Sequence, residues 1–168
     1  ISLFKRFDRY FGYTKECRME TTYRFGDPCV SLSSRFILTN GEQKAKTVVP
    51  FDSRVRTDLR FMPAPYGMGQ VVKEIVAGLP YDASIYLLGR YGSDVHCLDD
   101  AFSVRTDHDG HVSVKAGGRT MTFMTVHQSK GLESDYVILL NCNGGTMGFP
   151  SEIADSPILN YVLSEPDS

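Results

Sequence analysis

Thr125, His127, Lys130, Gly131 and Glu133 share one short loop, T-V-H-Q-S-K-G-L-E, between two apolar stretches. Thr125 and His127 can donate hydrogen bonds to phosphate oxygens, which position a nucleic-acid strand without reading its sequence. Glu133 is a good acceptor for ribose hydroxyls. Each also has a local reading: His127 as a capped loop histidine, and Glu133 as a first-turn acid favoured by a helix dipole. Tyr23 and Arg24 form a second candidate pair. An aromatic face can stack on a base and a guanidinium can pair bidentately with phosphate. Taken without its surroundings, that dipeptide is a weak signal, and a structural role is the stronger reading.

The elements that must hold these residues follow from patterning. Met121 to Val126 and Tyr136 to Leu140 are rich in β-branched and aromatic residues and predict strands on either side of the loop. Ligands of α/β sheets collect at the carboxyl ends of such strands. Ala83 to Leu88 is a nearly unbroken apolar run of the kind found in buried parallel strands. Cys17 to Tyr23, Thr47 to Phe51 and Asp58 to Met62 predict further strands, with Pro50 confining its strand to an edge or an end. Helices are predicted from the N-terminus to Gly12, from Asp27-Pro28 to about Leu38, over Tyr66 to Gly78, and over Pro157 to Leu163. S-V-R-T-D and H-V-S-V-K flank D-H-D-G, a hairpin signal that predicts an insertion at the sheet edge. The alternation of strand and helix argues for an α/β layer fold.

Several chemistries lack their residues. No segment fits G-x-x-x-x-G-K-[ST], so the chain alone cannot wrap a triphosphate as a P-loop ATPase does; G-x-S-x-G and H-E-x-x-H are also missing. His108 and His111 flank Asp109-Gly110 at a spacing that could hold a metal, but the turn explains the segment without one, and no metal site is expected. His96 reads as an ordinary helix or loop residue. Cys17, Cys29, Cys97 and Cys142 form no C-x-x-C pair and read as reduced, mostly buried thiols. At 168 residues with 42% hydrophobic content the chain suits one domain. A formal charge of -2 lacks the basic excess that announces nucleic-acid binding, so any such contact must be local. No apolar run approaches the roughly 18 residues a membrane span needs, and nothing at the start reads as a signal peptide, so no membrane is expected and the localisation read is cytoplasmic. Beginning on Ile1 and ending in S-E-P-D-S, the chain reads as an excised or processed piece.

T-V-H-Q-S-K-G-L-E followed by an apolar strand resembles motif V of the UvrD/Rep-like superfamily 1 DNA helicases, matching at Thr125, His127, Lys130, Gly131, Leu132 and Glu133. T-T-Y-R-F-G-D-P resembles their motif IV; its threonine pair departs from the usual asparagine and favours the helicase IV-like branch. S-I-Y-L-L-G-R, ending in Arg90, and G-F-P-S at Gly148 to Ser151 resemble two further family segments, while Ser134 departs from the phenylalanine or alanine common after G-L-E. The resemblance implies an α/β, RecA-like (P-loop NTPase-type) three-layer sandwich with a mainly parallel sheet and no P-loop of its own. It implies that 1–168 is the second RecA-like domain, ending before motif VI. Only about 35 residues separate Arg90 from Thr125, fewer than the roughly 50 a domain needs, so the accessory insertion domain is expected to be absent.

For the site, the resemblance implies that Tyr23 stacks on adenine and that Arg24 reaches the γ-phosphate as the catalytic group. Gly131 and Glu133 join the nucleotide site, and Thr125 and His127 touch single-stranded DNA. Arg90 stands near DNA or at the sheet edge. ATP with Mg2+ is the implied cofactor of the full-length protein, the Mg2+ ligands lying outside this chain. The implied partners are single-stranded DNA and the first RecA-like domain of the same polypeptide, and the implied role is a DNA-repair helicase. The chain alone is expected to be inactive. A non-catalytic interaction or nucleic-acid-binding module, or the helicase arm of a helicase-nuclease, are the alternatives.

Overall fold

The computed structural model describes residues 3, 6–15, 17–41, 46–98 and 102–153. They fall into two compact units, Ile1–Phe61 and Met62–Ser168. The helix predicted over Pro157 to Leu163 lies outside the described residues.

In the first unit, α1 (Phe7–Phe11) stops at Gly12, whose φ of 80° is open to glycine and costly for other residues. Phe7 and Phe11 pair one turn apart with ring centroids 4.4 Å from each other. β1 (Thr21–Thr22) pairs in parallel with β2 (Val49–Pro50), so the strands predicted at 17–23 and 47–51 shrink to two residues each. Pro50 ends its strand, as the missing N–H requires. α2 (Cys29–Leu38) begins just after Asp27-Pro28; the Asp27 carboxylate accepts both Ser31 N–H (3.2 Å) and Ser31 Oγ–H (2.6 Å), serving part of the helix's unpaired first turn. Gly26 lies so close to the Val55 carbonyl that a Cβ would collide with it, and Thr57 Oγ1 accepts Gly26 N–H at 3.0 Å. Residues 58–62, predicted as a strand, are not one. The alternation in D-L-R-F-M is real, but no strand lies beside it among the described residues, and Asp58 pairs instead with Arg60 at 2.6 Å.

The second unit holds a five-stranded sheet in the order β4-β5-β6-β3-β7. β3 (Ile85–Gly89) runs parallel to β6 (Arg119–Thr125) on one side and to β7 (Tyr136–Leu139) on the other. The apolar run of β3 thus occupies the buried parallel position its composition predicts. β4 (Ser103–Thr106) and β5 (Val112–Ala116) form the predicted hairpin and add antiparallel at the β6 edge, which makes the sheet mixed around a parallel centre. Asp107 closes the hairpin: Oδ1 accepts Asp109 N–H (3.0 Å) and His111 N–H (2.8 Å), and Gly110 takes φ 83°. A second hairpin, between β5 and β6, turns on Gly117 and Gly118, both at positive φ with Ala116 opposite Arg119. Sequence reading missed it, although two glycines between strands are a type I′ signal.

One sheet face carries the core. Ile85 and Leu87 of β3, Met121 and Phe123 of β6 and Val114 of β5 pack with Val72 and Val76 of α3 (Met68–Ala77) and with Val95, Leu98, Phe102 and Leu140. Val72 and Val76 are one turn apart, so a single stripe of α3 is buried. The Arg119 guanidinium caps the helix end, donating to the carbonyls of Val76 (2.9 Å), Leu79 (3.1 Å), Pro80 (2.6 Å) and Ala83 (3.3 Å). The opposite face, with Tyr86, Leu88 and Val137, stays partly open, and the second helical layer of a three-layer sandwich is not among this unit's described residues. None of the four cysteines is disulfide-bonded, but Cys17 and Cys142 are exposed and Cys29 and Cys97 only half-buried, which corrects the expectation of mostly buried thiols.

Candidate functional site

Because β3, β6 and β7 are parallel, their carboxyl ends meet at one edge of the sheet. Arg90 and Tyr91 leave β3 there, Val126 and His127 leave β6, and Asn141 to Ser151 leave β7 as the predicted glycine-rich connection. Arg90, Tyr91, Val126, His127 and Phe149 line a cleft of about 340 Å3. That is the lower end of ligand-site sizes, enough for one base or a short stretch of backbone. Two segments more than thirty residues apart in sequence, S-I-Y-L-L-G-R and T-V-H, are thereby joined to G-F-P-S.

The Arg90 guanidinium lies over the Tyr91 ring (5.4 Å to the centroid) and the Phe149 ring (6.0 Å), and its Nε donates to Tyr91 Oη at 3.0 Å. Two aromatic faces hold the cation in place while its terminal nitrogens bond no described residue. His127 is exposed, at the head of a turn in which Lys130 N–H bonds the His127 carbonyl. Thr125 does not line the cleft. Its hydroxyl donates to Gln128 Oε1 (3.0 Å) and accepts Gln128 N–H (3.3 Å), so it fixes the loop's first turn. Val126 N–H bonds the Gly89 carbonyl at 2.9 Å, continuing the β3–β6 ladder up to the loop. Gly131, at φ 89°, redirects the chain into exposed Glu133. Neither Gly131 nor Glu133 lines the cleft.

The loop's far end is pinned by Asp135, whose Oδ2 accepts Ser84 N–H (2.9 Å) and Ser84 Oγ–H (2.7 Å). The Ser84 hydroxyl, then its backbone N–H, holds the Asp135 carboxyl below the usual 3.8. A depressed carboxylate contributes stability that is present above its unfolded pKa and lost as pH falls through the folded value. An acid titration of the unfolding midpoint is therefore expected to show destabilisation setting in below pH 3.8, with Asp135→Asn flattening that limb; an unchanged limb would remove Asp135 from the account. Asp107 is depressed in the same direction, chiefly by the His111 backbone N–H. The ligand atoms of Asp107, Asp109 and His111 lie within 4.8 Å of one another at the exposed hairpin tip, where Asp107 is already engaged by the turn.

Tyr23 and Arg24 lie in the first unit, just after β1. Tyr23 stacks on Phe51, with centroids 4.5 Å apart and planes 30° apart, and is still 75% exposed, so one face remains available. Arg24 is exposed, and its side chain has no acidic partner among the described residues. Phe51 is the contributor here that sequence reading missed; its one signal was its place at the end of a short strand.

Asp94 was also missed. It is 7% exposed, Oδ2 accepting Tyr91 N–H at 2.8 Å and Oδ1 accepting Asn141 Nδ2–H at 3.1 Å. Burial, and then the Asp94 charge, push the Cys97 thiol up.

Residues 96–165 match the UvrD-like helicase C-terminal domain. With the T-V-H-Q-S-K-G-L-E loop and the α/β sheet that carries it, this supports a likeness to C-terminal helicase sequence of the UvrD/Rep-like superfamily 1 type. A curated relative is DNA helicase IV of Escherichia coli (strain K12), 26% identical over 179 aligned residues that take in 99% of this chain and 22% of that protein. The chain thus spans about a fifth of the length of the curated relative it matches. No solved structure matches. No described helix is long and apolar enough to cross a membrane.

Proposed function

We propose that the chain is part of the second motor domain of an ATP-dependent DNA helicase, in which the cleft at the carboxyl edge of the parallel strands grips single-stranded DNA. The observation that carries this reading is the convergence of Arg90, His127 and Phe149 on one cleft. Arg90 offers a guanidinium to a phosphate, His127 a ring N–H to the same backbone, and Phe149 an aromatic face to a base. None of these groups reads sequence, as a translocating protein requires. The match to a helicase C-terminal domain and the likeness to DNA helicase IV support it.

The nucleotide would be held by the other set. Tyr23 would stack on adenine with the face that Phe51 leaves open, and Arg24 would meet the γ-phosphate. These two groups fit a base and a terminal phosphate; the chain has no segment that fits the Mg2+-bearing phosphate cradle, which falls to the first RecA-like domain. Bound ATP with Mg2+ would supply the phosphoryl-transfer chemistry. Domain closure around it would alter the hold on DNA.

Phe149→Ala in the full-length protein tests the cleft. It is expected to weaken oligothymidylate binding about tenfold, in keeping with the roughly 1–3 kcal/mol that a stacked base loses on alanine substitution. ATP turnover at saturating DNA should stay within about threefold of the parent. Fluorescence anisotropy at fixed salt measures the first, and unchanged affinity would refute the reading.

A further inference from the structure

We propose that Asp94 is the positioning residue of the cleft, one buried carboxylate that fixes the spacing of its two walls. The first wall is Arg90-Tyr91. Asp94 Oδ2 accepts the Tyr91 backbone N–H at 2.8 Å, which sets the direction in which the chain leaves β3 and hence where the Arg90–Tyr91 pair lies. The second wall is Phe149. Asp94 Oδ1 accepts Asn141 Nδ2–H at 3.1 Å, Asn141 Oδ1 accepts Asn143 Nδ2–H at 3.0 Å, and the Asn143 carbonyl accepts Phe149 N–H at 2.8 Å. Three hydrogen bonds in series therefore run from the carboxylate to the aromatic wall.

Three local features exist to make that arrangement fit. Gly89 ends β3 because a Cβ there would stand 2.7 Å from Asp94 Cβ, 2.9 Å from Asp94 Oδ2 and 3.1 Å from Phe123 Cζ. Asn141 takes φ 56°, a left-handed conformation that asparagine tolerates better than most residues. Gly148 lies against the Asn143 carbonyl so closely that any side chain would displace it. The Asp94 carboxylate acts through the backbone of one wall and the side-chain relay of the other. A buried carboxylate with two N–H donors is a demanding arrangement: removing one acceptor leaves a buried donor unpaired.

The inference rests on the cleft being the DNA contact. It is tested in the full-length protein with labelled oligothymidylate. Asp94→Asn leaves one oxygen for two donors and is expected to weaken binding about tenfold. Adding Asn141→Asp to it restores the pairing, since the amide introduced at 94 donates to the carboxylate introduced at 141 while its oxygen still accepts Tyr91 N–H; affinity should return to within about twofold. Phe149→Ala should cost about tenfold in the parent and little in the Asp94→Asn background, because the wall it removes has already lost its place. A purely structural role for Asp94 would instead lower the melting temperature, leave Phe149→Ala with its full effect and not be rescued by the swap; that result overturns the proposal. Should Asp94→Asn fail to fold, Asn141→Ala cuts only the relay to Phe149 and is expected to give the same non-additivity, its absence counting against Asp94. If Phe149→Ala alone leaves binding unchanged, the DNA reading of the cleft falls and this inference with it. If Phe149→Ala weakens binding but adds fully to Asp94→Asn, only this inference falls.

Discussion

Replacing Arg24 with alanine in the full-length protein is expected to cut ATP turnover about a thousandfold, the usual scale for removing a guanidinium that meets a transferring phosphoryl group. Affinity for single-stranded DNA should change by less than about threefold. The expectation starts from what Arg24 lacks. It is exposed, no acidic side chain among the described residues pairs with it, and its backbone N–H lies 3.4 Å from Thr22 Oγ1 at the end of β1. A structural arginine normally engages its guanidinium, as Arg119 does with four carbonyls. The Arg24 guanidinium bonds no described acidic side chain, while its backbone N–H is tied to Thr22. Charge that develops on a phosphoryl group in the transition state is what such a cation stabilises, so the loss belongs in kcat more than in KM. Arg24→Lys should recover only a small part, because an ammonium cannot reproduce the bidentate fork. Steady-state ATPase assays with saturating DNA check this, and turnover within tenfold of the parent would remove Arg24 from the proposed role.

The second unit was legible where one residue type dominates a local decision. Alternation on both sides of D-H-D-G places β4 and β5, an unbroken apolar run places β3 between two parallel neighbours, and a glycine stop ends α3. The first unit was less so. D-L-R-F-M has the alternation of a strand but no strand beside it among the described residues, and alternation alone reports a half-buried face rather than the presence of a partner. The glycine pair between β5 and β6 carried a turn signal that passed unread beside the louder D-H-D-G.

The site divides the same way. His127 could be singled out because a loop after a strand exposes its polar residues at a sheet edge, and Arg90 because S-I-Y-L-L-G-R resembles a family segment. That both line a cleft with Phe149 follows from β3 and β6 being adjacent and parallel, a fact of pairing that neither segment contains. Asp94 was the hardest to find. Its partners are Tyr91, three residues back, and Asn141, 47 residues on, and an aspartate in G-S-D-V-H-C reads as an ordinary solvated turn residue until the fold buries it.

The central strand is where a single substitution should cost most. Leu87 has no exposed surface and sits between Phe123 of β6 and Ile138 of β7 in register, facing the apolar stripe of α3. Truncation to alanine removes the transfer free energy of the lost carbons and leaves a cavity that the surroundings cannot fully close, because the three strands are held to one another by ladder bonds. Leu87→Ala is expected to destabilise the second unit by about 3 kcal/mol, within the usual range for buried leucine. Urea unfolding should show the midpoint falling with the slope unchanged. Leu59, 48% exposed in the first unit, provides the contrast: its truncation should cost well under about 1 kcal/mol. Two residues beyond Leu87 the strand ends at Gly89, whose carbonyl holds Val126 N–H beside the cleft, so hydrogen exchange at Val126 should quicken in Leu87→Ala more than exchange in the β4–β5 hairpin, where the bonds depend on Asp107 and the turn. Equal acceleration in both places would mean that the unit opens only as a whole, and that the cleft does not depend on the central strand in particular.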